Sequence, residues 1–136
     1  MAADRTLIDL TATEAVALLR AGRVSPAELV AASAARIAAV EPAINALPIL
    51  CLDRARDQAG RIGTGDGPGW LAGLPISVKD LDEVAGVRHT MGGSVLFEDV
   101  VSTESSPMVR ILEANGGIPV AKSNSPEFGF NASTIN

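Results

Sequence analysis

Residues 74–80 read LPISVKD and residues 106–123 read SPMVRILEANGGIPVAKS, and these two stretches decide the fold. Leu74-Pro75-Ile76-Ser77-Val78 is a short apolar run of strand length that ends at Lys79-Asp80. Ser106-Pro107 opens a helix, with the proline at the first helical position, where its missing N–H is no loss. Val109, Ile111 and Leu112 form the apolar side of that helix, which runs to about Ala114 and is ended by Gly116-Gly117. Ile118-Pro119-Val120-Ala121 then reads as a second buried strand. Strand, helix and strand in this order predict a parallel α/β arrangement with a right-handed crossover. Between them, residues 82–86 read as a turn region and residues 90–94, TMGGS, as a glycine-rich loop.

Upstream the texture is helical. Thr11 and Glu14 have capping-box spacing, and the helix they open runs to about Arg20, with Gly22 as its stop. Ser25-Pro26-Ala27-Glu28 repeats that logic, with Leu29, Ser33, Ile37 and Val40 on one face and Glu41-Pro42 closing the helix. A third helix is expected around residues 52–62, carrying Asp53, Arg54, Arg56 and Asp57 on a solvated face. Residues 63–69, GTGDGPG, form a linker; a phosphate-binding glycine loop would follow a strand and open a helix, which this one does not. The expected organisation is a helical segment over 1–62, the linker over 63–69 and the start of an α/β core over 70–136.

A chain of 136 residues fits one domain and buries a real core. Its apolar fraction of 47% is rich in alanine, and aromatics make up only 3%, so a helix-rich core thin in large side chains is expected. The formal net charge of −5 argues against general affinity for nucleic acid or an anionic membrane. Cys51 is the only cysteine and His89 the only histidine, too few for a zinc site or an intramolecular disulfide. No signal peptide or membrane span is legible, so the expectation is a cytoplasmic protein with neither metal nor cofactor.

Lys79 and Lys122 are the only lysines; arginine carries the remaining positive charge. An arginine stays charged, whereas a desolvated lysine gives up its proton and becomes a base near neutral pH. Lys79, at the end of an apolar strand, is therefore a candidate base. The alternative is a solvated lysine paired with Asp80.

L-x-G-x-P-x-x-V-K-D from Leu71, Ala85-Gly86-Val87, the Thr90-x-Gly92 loop and K-S-N-x-P-E-F from Lys122 follow one another in order. Together they resemble the amidase-signature family over residues 71–136, and SPAELV at residues 25–30 resembles that family's opening helices. The resemblance implies N-terminal helices followed by the first strands and helix of the amidase-signature mixed sheet, incomplete. It also implies a Ser–cis-Ser–Lys mechanism acting on a small-molecule amide, with Lys79 matching the general base. In that family a bridging serine relays the proton of a nucleophilic serine, and backbone N–H groups hold the oxyanion. None of these partners is expected within residues 1–136, so the chain alone is expected to be inactive, and a sheet cut after two strands, with unpaired edges and uncovered apolar faces, is expected to leave it marginally folded.

Ser94 invites a Ser–Lys dyad reading, but by the resemblance its loop is not the nucleophile segment. Lys122, Ser123, Asn124 and Glu127 match a segment near the active centre and are read as structural support, with Pro126 fixing the bend. His89 is read as a loop residue, Cys51 as a small core residue, and Trp70 as a packing anchor. Three residues depart from the family pattern: Gly93 for a serine, Ser105 for an aspartate that begins the helix, and Ala121 for a glycine. The first two are expected to weaken loop and cap hydrogen bonds. Other readings are a glutamine-dependent amidotransferase of the A type, against which Ser125-Pro126-Glu127-Phe128-Gly129 speaks, and a non-catalytic interaction fragment.

Overall fold

A computed structural model describes residues 6–130 and Thr134. The chain runs α1 (Ala12–Arg20), α2 (Pro26–Ile44), β1 (Ile49–Leu50), α3 (Leu52–Ala59), β2 (Pro75–Lys79), α4 (Pro107–Ala114) and β3 (Ile118–Ser123), with short 3-10 turns at Leu7–Asp9, Val95–Phe97 and Glu127–Gly129. Both N-terminal helices begin as their sequences dictate. The Glu14 N–H donates to Thr11 Oγ1 and the Thr11 N–H to the Glu14 carboxylate; Ser25 and Glu28 repeat the exchange.

The sheet has the order β1-β3-β2. β2 and β3 are parallel, with Val78 opposite Lys122 and Lys79 opposite Ser123, as the strand–helix–strand pattern predicts. β1 is the surprise. Pro48-Ile49-Leu50-Cys51 reads as an apolar run, yet Ile49 and Leu50 pair antiparallel with Lys122 and Ala121. Two residues carry too little pattern to distinguish a strand from core, and their partner lies far along the chain.

Three apolar clusters hold the layers together. Val30 and Ile37 of α2 meet Ala55 and Ala59 of α3 over Ile118, Val120 and Ala121 of β3. Cys51 and Val78 meet Val84, Val87 and Val109, so α4 and the loop after β2 cover another part of the sheet. Ala15, Leu19, Leu29 and Ala72 form the third cluster, against which Trp70 packs. Gly65 approaches Trp70 so closely that a Cβ would lie 2.6 Å from its ring. Arg20 donates to the carbonyls of Gly67 (2.5 Å) and Trp70 (3.0 Å), which pins the 63–69 segment to α1. Among the described residues no helix is long and apolar enough to cross a membrane.

Four local expectations need correction. Pro42 does not close α2; the helix continues to Ile44 and ends where Asn45, at φ 50°, donates its N–H to the Glu41 carbonyl. In a last turn the proline's missing N–H is one lost bond, not a broken helix. Helix α3 stops at Ala59, with Gly60 as its C-cap. Arg54 is not on a solvated face. It pairs with Glu113 of α4 at 2.5 Å and donates to the Ala85 carbonyl at 3.1 Å, tying α3 to α4 and to the loop beneath. On α4, Ile111 faces solvent while Val109 is fully buried. Ser105 remains bonded despite its departure from the family pattern: it accepts from the Ala85 N–H and donates to Glu113, both at 3.0 Å. The α4 N-cap, Ser106, makes no side-chain cap bond.

Candidate functional site

The two lysines stand on adjacent strands in opposite circumstances. Lys122, near the end of β3, is completely buried. A buried ammonium is tolerable only if its charge is matched and each N–H is accepted. Lys122 Nζ meets Asp80 Oδ1 at 2.5 Å, His89 Nδ1 at 2.8 Å and the Arg88 carbonyl at 3.3 Å. Three donors thus find three acceptors. Lys79, at the end of β2, is exposed and has no ion-pair or hydrogen-bond partner among the described residues.

Asp80 is the keystone. It follows Lys79 directly, so the alternation along β2 turns it inward, where it is 1% exposed. The partner of its carboxylate is Lys122, not Lys79. The same carboxylate accepts from the Thr90 N–H (3.2 Å), the Thr90 hydroxyl and the Gly92 N–H (3.4 Å). Burial alone would raise the Asp80 pKa, but the Lys122 and Thr90 hydrogen bonds outweigh it and hold the carboxyl below its ordinary value.

The 90–94 loop is wound onto this carboxylate. Met91, Gly92 and Gly93 all take positive φ, at 55°, 82° and 86°. The turn is closed by Gly93 N–H to Thr90 Oγ1 at 2.9 Å and by Gly92 N–H to the Asp80 carbonyl at 3.1 Å. Gly92 also lies against the 125–126 turn, where a Cβ would come within 2.8 Å of the Ser125 carbonyl. Replacing Gly92 by alanine is expected to cost about 2–3 kcal/mol, from the left-handed backbone and the collision together. Urea unfolding checks this, with Gly86→Ala as the control, because the space beside Gly86 is open although its φ is +76°.

Other residues find plainer places. Ser94 is 1% exposed and its hydroxyl has no hydrogen-bond partner among the described residues, so it is neither paired with a lysine nor open to a substrate. The Ser–Lys dyad reading falls. Cys51 is buried, bonds the Pro119 carbonyl through its thiol, and has its pKa pushed up to about 11 by burial, which suits an inert core residue. His89 is not a plain loop residue. It is 5% exposed, with Nδ1 on Lys122 and Nε2 2.9 Å from Met91 Sδ. Burial first, and then Lys122, lower its pKa below the ordinary histidine value. The Asp80–Lys122–His89 group escaped the sequence reading because its members lie on separate segments. The available signal was that PISVK and IPVAK end alike, so either lysine was a candidate for burial.

The chain resembles several known proteins. A family model described as Amidase matches residues 28–136. AmiC of Mycobacterium tuberculosis, named an amidase, is 37% identical over 129 residues, covering 95% of this chain and 27% of that protein. The A subunit of a glutamyl-tRNA(Gln) amidotransferase from Synechococcus sp. (strain CC9605) is 38% identical over 120 residues, covering 85% of this chain and 24% of that protein. Among solved structures, a bacterial aryl acylamidase of the amidase-signature enzymes superposes with a TM-score of 0.83 at 27% identity, over 93% of this chain and 27% of that one. The chain thus spans about a quarter of the length of the relatives it matches.

Proposed function

The chain belongs to the amidase family, and on that premise we propose that Lys79 is the general base of an enzyme that hydrolyses a carboxamide to a carboxylate and ammonia or an amine. One observation carries the reading. Of the chain's two lysines, Lys122 has every donor engaged in a sealed ion pair, whereas Lys79 projects from a strand end whose next residue is fixed and has no side-chain partner among the described residues. A base needs that combination: a free amine on a rigid mount.

In the proposed mechanism Lys79 takes a proton from a bridging serine, which takes one from the nucleophilic serine as that oxygen attacks the amide carbon. The leaving nitrogen receives a proton and departs, and water then releases the acid from the acyl-enzyme. Both serines, the oxyanion N–H groups and the surface that desolvates Lys79 belong, in this reading, to segments outside residues 1–136. The chain alone is proposed to be inactive, and no cofactor is invoked. The test is turnover of an aryl amide by an active form of the protein before and after Lys79→Ala. Undiminished hydrolysis in the variant would remove Lys79 from the chemistry.

A second reading, a glutamine-dependent amidotransferase of the A type, is favoured by the 38% identity to such a protein, level with the identity to AmiC. Against it stands SPEFG at residues 125–129, which is closer to the stand-alone pattern. Ammonia release from glutamine, compared with aryl-amide hydrolysis, separates the two.

A further inference from the structure

We propose that His89 is a positioning residue: its neutral imidazole supplies the acceptor that completes the Lys122 hydrogen-bond set, and protonation of His89 releases the Asp80–Lys122 pair and the turn wound upon it. The functional consequence, disorder at the end of the strand that carries Lys79, rests on the reading of Lys79 as the base. The release itself does not.

The geometry permits one arrangement at Lys122. Its neighbours within reach are the Asp80 carboxylate and the Arg88 carbonyl, which only accept, and His89 Nδ1, which must accept because an ammonium only donates. Nδ1 therefore carries a lone pair, and the ring proton sits on Nε2, facing the weakly accepting Met91 sulfur. A second proton on the ring would turn Nδ1 into a donor 2.8 Å from an ammonium, setting two cations against each other in a buried site. The other charges that bear on His89 are Asp80, 3.8 Å away, and Asp82 and Glu83 in the turn after β2; these acids favour the imidazolium, while burial and Lys122 oppose it.

The pH sense follows from the lowered pKa. Between its folded value and the ordinary value near 6.5, the native state holds fewer protons than the unfolded chain. The clamp is therefore complete above that window and is lost as the pH falls through it.

The composition makes the test clean, because His89 is the only histidine and gives one pair of ring nitrogen resonances. In the full chain labelled with 15N, the neutral-pH spectrum should show the Nε2–H tautomer. On acidification, the ring resonances and the Thr90 and Gly92 amides should move with one midpoint below 6.5, and exchange protection at those amides should fall at least about tenfold across it. His89→Asn, whose side-chain oxygen replaces the Nδ1 acceptor, should keep the turn protected and abolish this transition, whereas His89→Ala should lose the protection at neutral pH. An Nδ1–H tautomer in the unmodified chain, or an unchanged midpoint in His89→Asn, would overturn the proposal. If His89→Ala does not fold, the wild-type tautomer still decides. None of these signals depends on Lys79, so a failed Lys79→Ala activity test leaves them intact, and their failure leaves that test intact.

Discussion

Replacing Asp80 by alanine should remove about 3–5 kcal/mol of folding stability, as expected when one member of a buried ion pair is deleted. The loss has two sources. Lys122 would be left fully buried without its counter-charge, and the Thr90 N–H and hydroxyl would lose their acceptor. Folded proteins are stable by only about 5–15 kcal/mol, so the variant would sit near the limit of folding. Lys122→Met in the same background should recover much of the loss, because an apolar side chain of similar volume needs no partner. Urea denaturation of the four chains of the cycle, followed by circular dichroism, measures the coupling. A single-variant cost below about 1 kcal/mol would mean that the pair behaves as a solvated one. The acid limb has the same root. With its pKa held below the ordinary carboxyl value, Asp80 contributes stability that is present above about pH 4 and lost as the pH falls through its folded pKa.

Lys79→Ala should give the opposite profile. A general base, the role proposed for Lys79, typically contributes about 10²–10⁴-fold in rate, so kcat/KM of an active form on an aryl amide should fall by that order. Stability should stay within about 0.5 kcal/mol, because Lys79 is exposed and holds nothing in place. Lys79→Arg should be as inactive as the alanine variant, since a guanidinium does not give up its proton near neutral pH. An arginine variant that retained substantial turnover would point to charge rather than proton transfer. Rate lost with fold intact at position 79, and fold lost at position 80, is a contrast between neighbouring residues that no general weakening of the strand produces.

Much of the scaffold was legible because its signals are local. The caps at Thr11 and Ser25, the proline openings at Pro26 and Pro107 and the glycines after α4 each act within a few residues, and the structure has them where the sequence put them. The apolar runs around Val78 and Val120 likewise became paired strands. What stayed hidden was long-range. β1 has a meaning only beside β3, Arg54 only beside Glu113, and His89 only beside Lys122. Lys79 and Lys122 have nearly the same neighbours in sequence. Strand register, which no local pattern states, decides which of them is sealed in with Asp80 and which is left free.

The strand order also bears on how the chain is made. β3 is the third of these strands in sequence and the central one in space, so β1 and β2 have nothing to pair with until it arrives. At common rates of synthesis, β1 leaves the ribosome about 4–14 s before its partner does. During that interval Ile49 and Leu50, and later the β2 backbone, lack the strand they pair with. A growing chain of this kind is exposed to chaperones and to misassociation throughout that interval, and acquires its buried ion pair only when β3 emerges.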